Sequence, residues 1–197
     1  MASANLPLLT FRDAPAFEAW LETQPTDAAG AWLRFAKRGA AEVTVAKSDA
    51  IDSALAHGWI DGQLGRIDAS FFKTRFTPRK PRSAWSQINC ERAERLIVAS
   101  RMTPRGLAQV TLAKSDGRWA RAYASAARAS PDTELRAVLD ATPSARAFFE
   151  RLDSANRYAV LYRIQQAKTP EKRTAKIAEL VAMLARNEAI HPIRRRR

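Results

Sequence analysis

Four cations, Arg75, Arg79, Lys80 and Arg82, fall within eight positions, with no acid among them. The rings of Phe71, Phe72, Phe76 and Trp85 interleave with them or flank them. Guanidinium groups present forked donors that match phosphate or carboxylate, and nearby rings supply stacking surface. Ser83, Ser86 and Asn89 add neutral donors where a helix is expected to begin, and the free amides and dipole of such a terminus attract anions. The run from Trp59 to Asn89 therefore reads as an anion-binding segment. In it Arg75, Arg79 and Arg82 would clamp the anion, Trp59 and Trp85 would form apolar walls, and Asp61, Ser83, Ser86 and Asn89 would orient the ligand. The competing reading is a solvated basic loop beside ordinary core aromatics, with Asp61 the buried partner of one arginine.

A second cationic-aromatic run, Ala113 to Tyr123, carries Lys114, Arg118, Trp119 and Arg121 after a turn at Asp116-Gly117. Its folding back on the first run is one arrangement the sequence allows but does not fix. Other chemistries find little to work with. Two histidines, one cysteine and no clustered carboxylates leave no metal site to assemble. No phosphate-loop signature is present, and Gly58, Gly62 and Gly65 have the wrong spacing for a dinucleotide fingerprint, so no cofactor is expected. Cys90 reads as packing and not as the nucleophile of a pair with His57. His57, next to Gly58, reads as a charge complement to a helix C-terminus.

The elements that must position these residues form an α+β chain with a small antiparallel sheet, followed by an all-helical unit. Asp13-Ala14-Pro15 opens an amphipathic helix with Phe17, Trp20 and Leu21 on one face. Residues 30–37 alternate as a strand, with Leu33 and Phe35 on one side and Trp32, Arg34 and Ala36 on the other. A helix capped by Ser48 ends at Gly58. Strands over 59–67 and 71–77 are joined by Asp68-Ala69-Ser70 as a hairpin, and Pro78 and Pro81 make 78–84 a loop. Ser86 is expected to cap the next helix. Four further helices are announced by a hydroxyl cap and a proline: Thr103-Pro104, Ser130-Pro131, Thr142-Pro143 and Thr169-Pro170. Another helix lies between Ser154 and Lys168. The expected organisation is an α+β domain over 1–125, a helical domain over 130–188, and a disordered basic tail over 189–197.

At 197 residues and 46% hydrophobic content the chain can bury a substantial core. No apolar run is long enough to span a membrane. Met1 to Thr10 lacks the basic and apolar regions of a leader, so a cytoplasmic location is expected. The net charge of +13 is lopsided: residues 1–100 carry 13 Lys and Arg against 11 Asp and Glu, the remainder 20 against 9. Such a balance suits acidic partners, a small anionic molecule first and nucleic acid second, although an arginine-rich composition produces the same charge with neither. No protein partner is legible.

Several segments resemble the YdeI/OmpD-associated family, also called bacteriocin-protection proteins: "GWIDG" at 58–62, "RFTPRKPRSAWSQIN" at 75–89, "RMTPRGL" at 101–107, "AKSDGRW" at 113–119 and "AKTPEKR" at 167–173. The C-terminal helices resemble the family's OmdA-type region. The resemblance implies a role in protection against bacteriocins or antimicrobial peptides and an association with a porin. It implies no catalytic set. The expectation is thus a non-enzymatic anion-binding protein. The alternatives are a small transferase or hydrolase with Asp61 as general base, and a nucleic-acid-binding protein.

Overall fold

The computed structural model describes residues 6–167 and 169–193, and the chain divides into two compact units. The first comprises Met1–Trp85 and Asn89–Ala120, the second Ser86–Ile88 and Arg121–Arg197.

In the first unit the elements are β1 (Leu8–Leu9), α1 (Ala14–Thr23), β2 (Ala31–Ala36), α2 (Lys47–Ala56), β3 (Trp59–Arg66), β4 (Phe71–Pro78), α3 (Gln87–Val98) and α4 (Pro104–Ser115); the first two residues of α3 cluster with the second unit. The strands form one sheet in the order β1-β2-β4-β3. β2, β4 and β3 are antiparallel, as the hairpin pattern requires, and the two-residue β1 adds a parallel edge, so the sheet is mixed. Alternation sorts its faces. Ala31, Leu33, Phe35, Phe76 and Trp59 are buried in one cluster with Phe17 and Leu21 of α1 and Ala50 and Ala54 of α2. Trp32, Arg34, Lys73 and Arg75 alternate onto the other face, where Lys73 lies 4.7 Å from the Trp32 ring centroid and Arg34 lies 4.3 Å from that of Phe71. A register shift between Asp61 and Leu64 bends β3.

Some local expectations are corrected. α2 starts at Lys47 behind Ala46 with no side-chain cap, because the Ser48 hydroxyl donates to its neighbour Asp49 at 3.0 Å. Pro78 belongs to β4, opposite Trp59, and the ladder runs one step further through Arg79 N–H to Gly58 C=O at 2.9 Å. A proline is tolerated there because it closes the strand.

The second unit contains α5 (Thr133–Asp140), α6 (Pro143–Arg151), α7 (Ser154–Gln165) and α8 (Pro170–Ala185). Its core joins Leu135 and Leu139, Phe148 and Phe149, Leu161 and Ile164, and Ile177, Leu180 and Leu184, one stripe from each helix. Thr169 caps α8 as expected. α5 begins two residues after Pro131, because the Asp132 carboxylate accepts from Leu135 N–H and so provides the cap. Thr142 precedes α6 without a side-chain cap bond. The tail expected from residue 189 is held at its start, where His191 N–H donates to Asn156 Oδ1 at 2.8 Å and Asn156 Nδ2 returns a bond to His191 C=O. Residues 194–197 lie outside the described residues.

Candidate functional site

Three chain segments of the first unit meet at one corner of the sheet. α2 ends at His57, and Gly58 turns the chain with φ +75°, a left-handed conformation that suits glycine just past a helix. β3 starts at Trp59, and β4 ends opposite it at Pro78, with Arg79 next in the chain. α4 approaches through Gly106, where an added Cβ would lie 2.2 Å from the Ala56 carbonyl oxygen. Thr103 secures that contact twice: its hydroxyl and its N–H both donate to Ala56 C=O, at 2.7 and 3.1 Å. A cleft of about 170 Å³ results, lined by His57, Gly58, Trp59, Pro78, Arg79, Arg105 and Gln109 with Thr26 and Ala108. No carboxylate is among the lining residues. Arg105, Ala108 and Gln109 reach it together because residues three and four apart share a helix face.

Arg79 is 5% exposed, with its guanidinium carbon 3.6 Å from the centroid of the Trp85 ring and one nitrogen donating to Ala84 C=O at 3.3 Å. Trp85 packs in turn on Trp119, centroids 4.9 Å apart, and Lys114 covers Trp119 at 5.1 Å. Arg118 anchors the same turn, donating to Ser83 C=O at 2.8 Å while its Nε donates to Asp116. The two cationic-aromatic runs therefore do fold together, as a stack of cation, indole, indole and cation that fixes Arg79. Cys90 lies near it, and burial pushes this thiol up from about 9 to about 11 despite the opposing pull of Arg79. It is a packed thiol and not a nucleophile.

His57 is 7% exposed, and its Nδ1 lies 2.8 Å from Ser53 C=O. Ser53 is itself fully buried and donates to Glu18, which pairs with Arg101. Nε2 of His57 and Oε1 of Gln109 are buried and have no hydrogen-bond partner; Glu22 Oε1 is 4.0 Å from that Nε2. Arg105, exposed at the rim, donates to Gln24 C=O at 2.6 Å.

Of the residues singled out from sequence, Trp59 and Arg79 line the cleft and Trp85 underlies Arg79. Ser83 shapes the loop, its hydroxyl accepting from Lys80 N–H at 3.0 Å. Asp61 is half-buried on β3, outside the cleft lining, and makes no ion pair among the described residues. Arg75 projects from the sheet face opposite to Trp59, as its register with Trp32 requires. Arg82 is exposed. Ser86 belongs to the second unit, bridged to Tyr123, and Asn89 lies in the first turn of α3. His57, Arg105 and Gln109 were not read as site residues. The one sequence signal for them is the i, i+4 spacing of Arg105 and Gln109 behind the Thr103-Pro104 cap.

A family profile described as "Domain of unknown function (DUF8412)" matches residues 9–109. A second, OmdA, described as "Bacteriocin-protection, YdeI or OmpD-Associated", matches residues 129–187. The chain belongs to the DUF8412 family and carries a C-terminal OmdA domain. No curated protein and no solved structure matches it. The cleft thus lies wholly within the DUF8412 match, and the four-helix core of α5–α8 coincides with the OmdA domain. No helix among the described residues is long and apolar enough to cross a membrane.

Proposed function

We propose that this OmdA-domain protein binds a small anionic metabolite in the Arg79 cleft, and that any part it plays in bacteriocin or antimicrobial-peptide protection runs through that ligand in the cytoplasm. The observation that carries the reading is a guanidinium held rigidly on an indole at the wall of a cleft with a second arginine and no acid in its lining. Pre-positioned cations lose little freedom on binding, so more of the attraction is expressed as affinity. A strongly cationic chain is also a poor direct trap for cationic peptides, which favours an indirect route.

The transferase or hydrolase reading drew on Asp61 as base, and Asp61 does not line the cleft. The sites expected at Arg75 and Arg82 lose weight for the same geometric reason: one projects from the far face of the sheet and the other stands in solvent.

Calorimetric titration with short-chain carboxylates and with inorganic phosphate tests the proposal. Arg105→Ala, an exposed change, is expected to weaken binding at least tenfold and to leave the fold intact. Equal affinity in the variant would contradict the assignment.

A further inference from the structure

We propose that the ligand of this cleft is a small carboxylic acid carrying a hydrogen-bond donor, hydroxyl or ammonium, beside its carboxylate; the inference rests on the cleft being an anion site. The cleft lining carries polar groups of two kinds. Arg79 and Arg105 only donate. His57 is tied to its own helix through Ser53 C=O. Ser53 C=O can only accept, so Nδ1 is the nitrogen that carries the proton facing it, and in that tautomer of imidazole Nε2 is the acceptor. That atom is buried and has no hydrogen-bond partner. Gln109 Oε1, a second acceptor lining the cleft, is buried and unpartnered as well. Glu22, outside the lining and with its side chain exposed, brings Oε1 to 4.0 Å from His57 Nε2.

An acceptor-only anion such as phosphate or a simple carboxylate would satisfy the arginines and leave these acceptors bare. A buried polar atom left unpaired costs about 1–3 kcal/mol, so a bound acid lacking a donor forfeits what an acid with one gains. A nitrogen or oxygen can sit at hydrogen-bond distance from both His57 Nε2 and Glu22 Oε1, because their 4.0 Å separation is shorter than two such bonds placed end to end. Trp59 and Pro78 add apolar wall to the lining. The volume corresponds to roughly five or six waters at about 30 Å³ each, which suits a branched short-chain acid.

Three probes of matched skeleton separate the terms: 3-methylbutanoate, 2-hydroxy-3-methylbutanoate and valine, titrated calorimetrically up to about 10 mM, tenfold above the roughly 1 mM upper end of usual substrate affinities. At least one donor-bearing acid is expected to bind about tenfold or more tighter than 3-methylbutanoate. The preference should vanish in Gln109→Leu and in His57→Phe, while Arg105→Ala weakens every probe that binds. Glu22→Gln distinguishes the donors, weakening valine and sparing the hydroxy acid. Should His57→Phe fail to fold, Gln109→Leu carries the test alone. Equal binding of all three probes, still dependent on Arg105, would overturn the donor requirement and leave the anion site standing. Binding of none, or binding indifferent to Arg105, would overturn both.

Discussion

At the scale of single residues, charge clustering groups Arg79 with Arg75 and Arg82, which the structure places apart from the Arg79 cleft. Arg79 was legible because costly cations and rings accumulate around it. Its neighbours Arg75 and Arg82 carry the same sequence signal, yet strand alternation and loop exposure send them elsewhere. His57 was the opposite case: a histidine at a helix end has a routine reading, and only its contact with Ser53 C=O and its place beside Arg79 distinguish it. Arg79→Lys retains charge but loses the planar stack on Trp85. A desolvated cation–π contact contributes about 2 kcal/mol, so a lower melting temperature is expected together with weaker anion binding. Cys90 supplies a pH test. Its thiol is raised to about 11 in the folded chain from about 9, so the neutral form is favoured by folding. Its contribution is fully present below pH 9 and is lost as pH rises from 9 toward 11. Chemical denaturation across that range should show stability falling in the native chain and a flatter profile in Cys90→Ala. Native Cys90 should also resist thiol reagents at pH 8 until the protein unfolds.

At the scale of elements, periodicity and hydroxyl-proline caps located the helices of the described residues and the hairpin, because each depends on contacts close in sequence. It could not show that α4 docks on α2, because that joint is made by an absence of atoms at Gly106 and by Thr103 reaching Ala56 across 47 residues. Substituting Gly106 therefore tests the joint directly. Alanine gains about 1 kcal/mol in helix propensity over glycine, whereas overpacking costs about 1–3 kcal/mol, and a Cβ at 2.2 Å from backbone oxygen puts this site at the upper end. Gly106→Ala is expected to lower stability and open the cleft, read as loss of ligand binding beyond the loss of stability. Unchanged melting and binding would mean that the joint does not build the site. Thr74 gives a prediction of opposite sign. It is fully buried in the sheet and its hydroxyl has no hydrogen-bond partner, so Thr74→Val removes a desolvated hydroxyl and should be neutral or stabilising by up to about 1 kcal/mol. A clear loss of stability would show that the hydroxyl is satisfied.

At the scale of the whole molecule, the α+β class and the helical character of the C-terminal region were legible from patterning, since burying one face of each element leaves few alternatives. Net charge was the least informative signal. The +13 total is concentrated after residue 100, whereas most of the residues that line the cleft precede it in sequence. Binding to single-stranded DNA is therefore expected to be weak and independent of sequence. It should fall at least tenfold between 50 and 200 mM salt (about the range in which counterion release is read) and be unaffected by Arg105→Ala. A salt-insensitive complex would instead indicate a built nucleic-acid site. The decisive measurement concerns the cleft. The chain has five tryptophans, whose indole N–H signals can be followed separately by NMR during titration with 2-hydroxy-3-methylbutanoate. The account predicts a saturable shift at Trp59, with a smaller one at Trp85 beneath Arg79, no shift at Trp32 on the far sheet face, and loss of both shifts in Arg105→Ala. Saturation at Trp32 with Trp59 unmoved would contradict it.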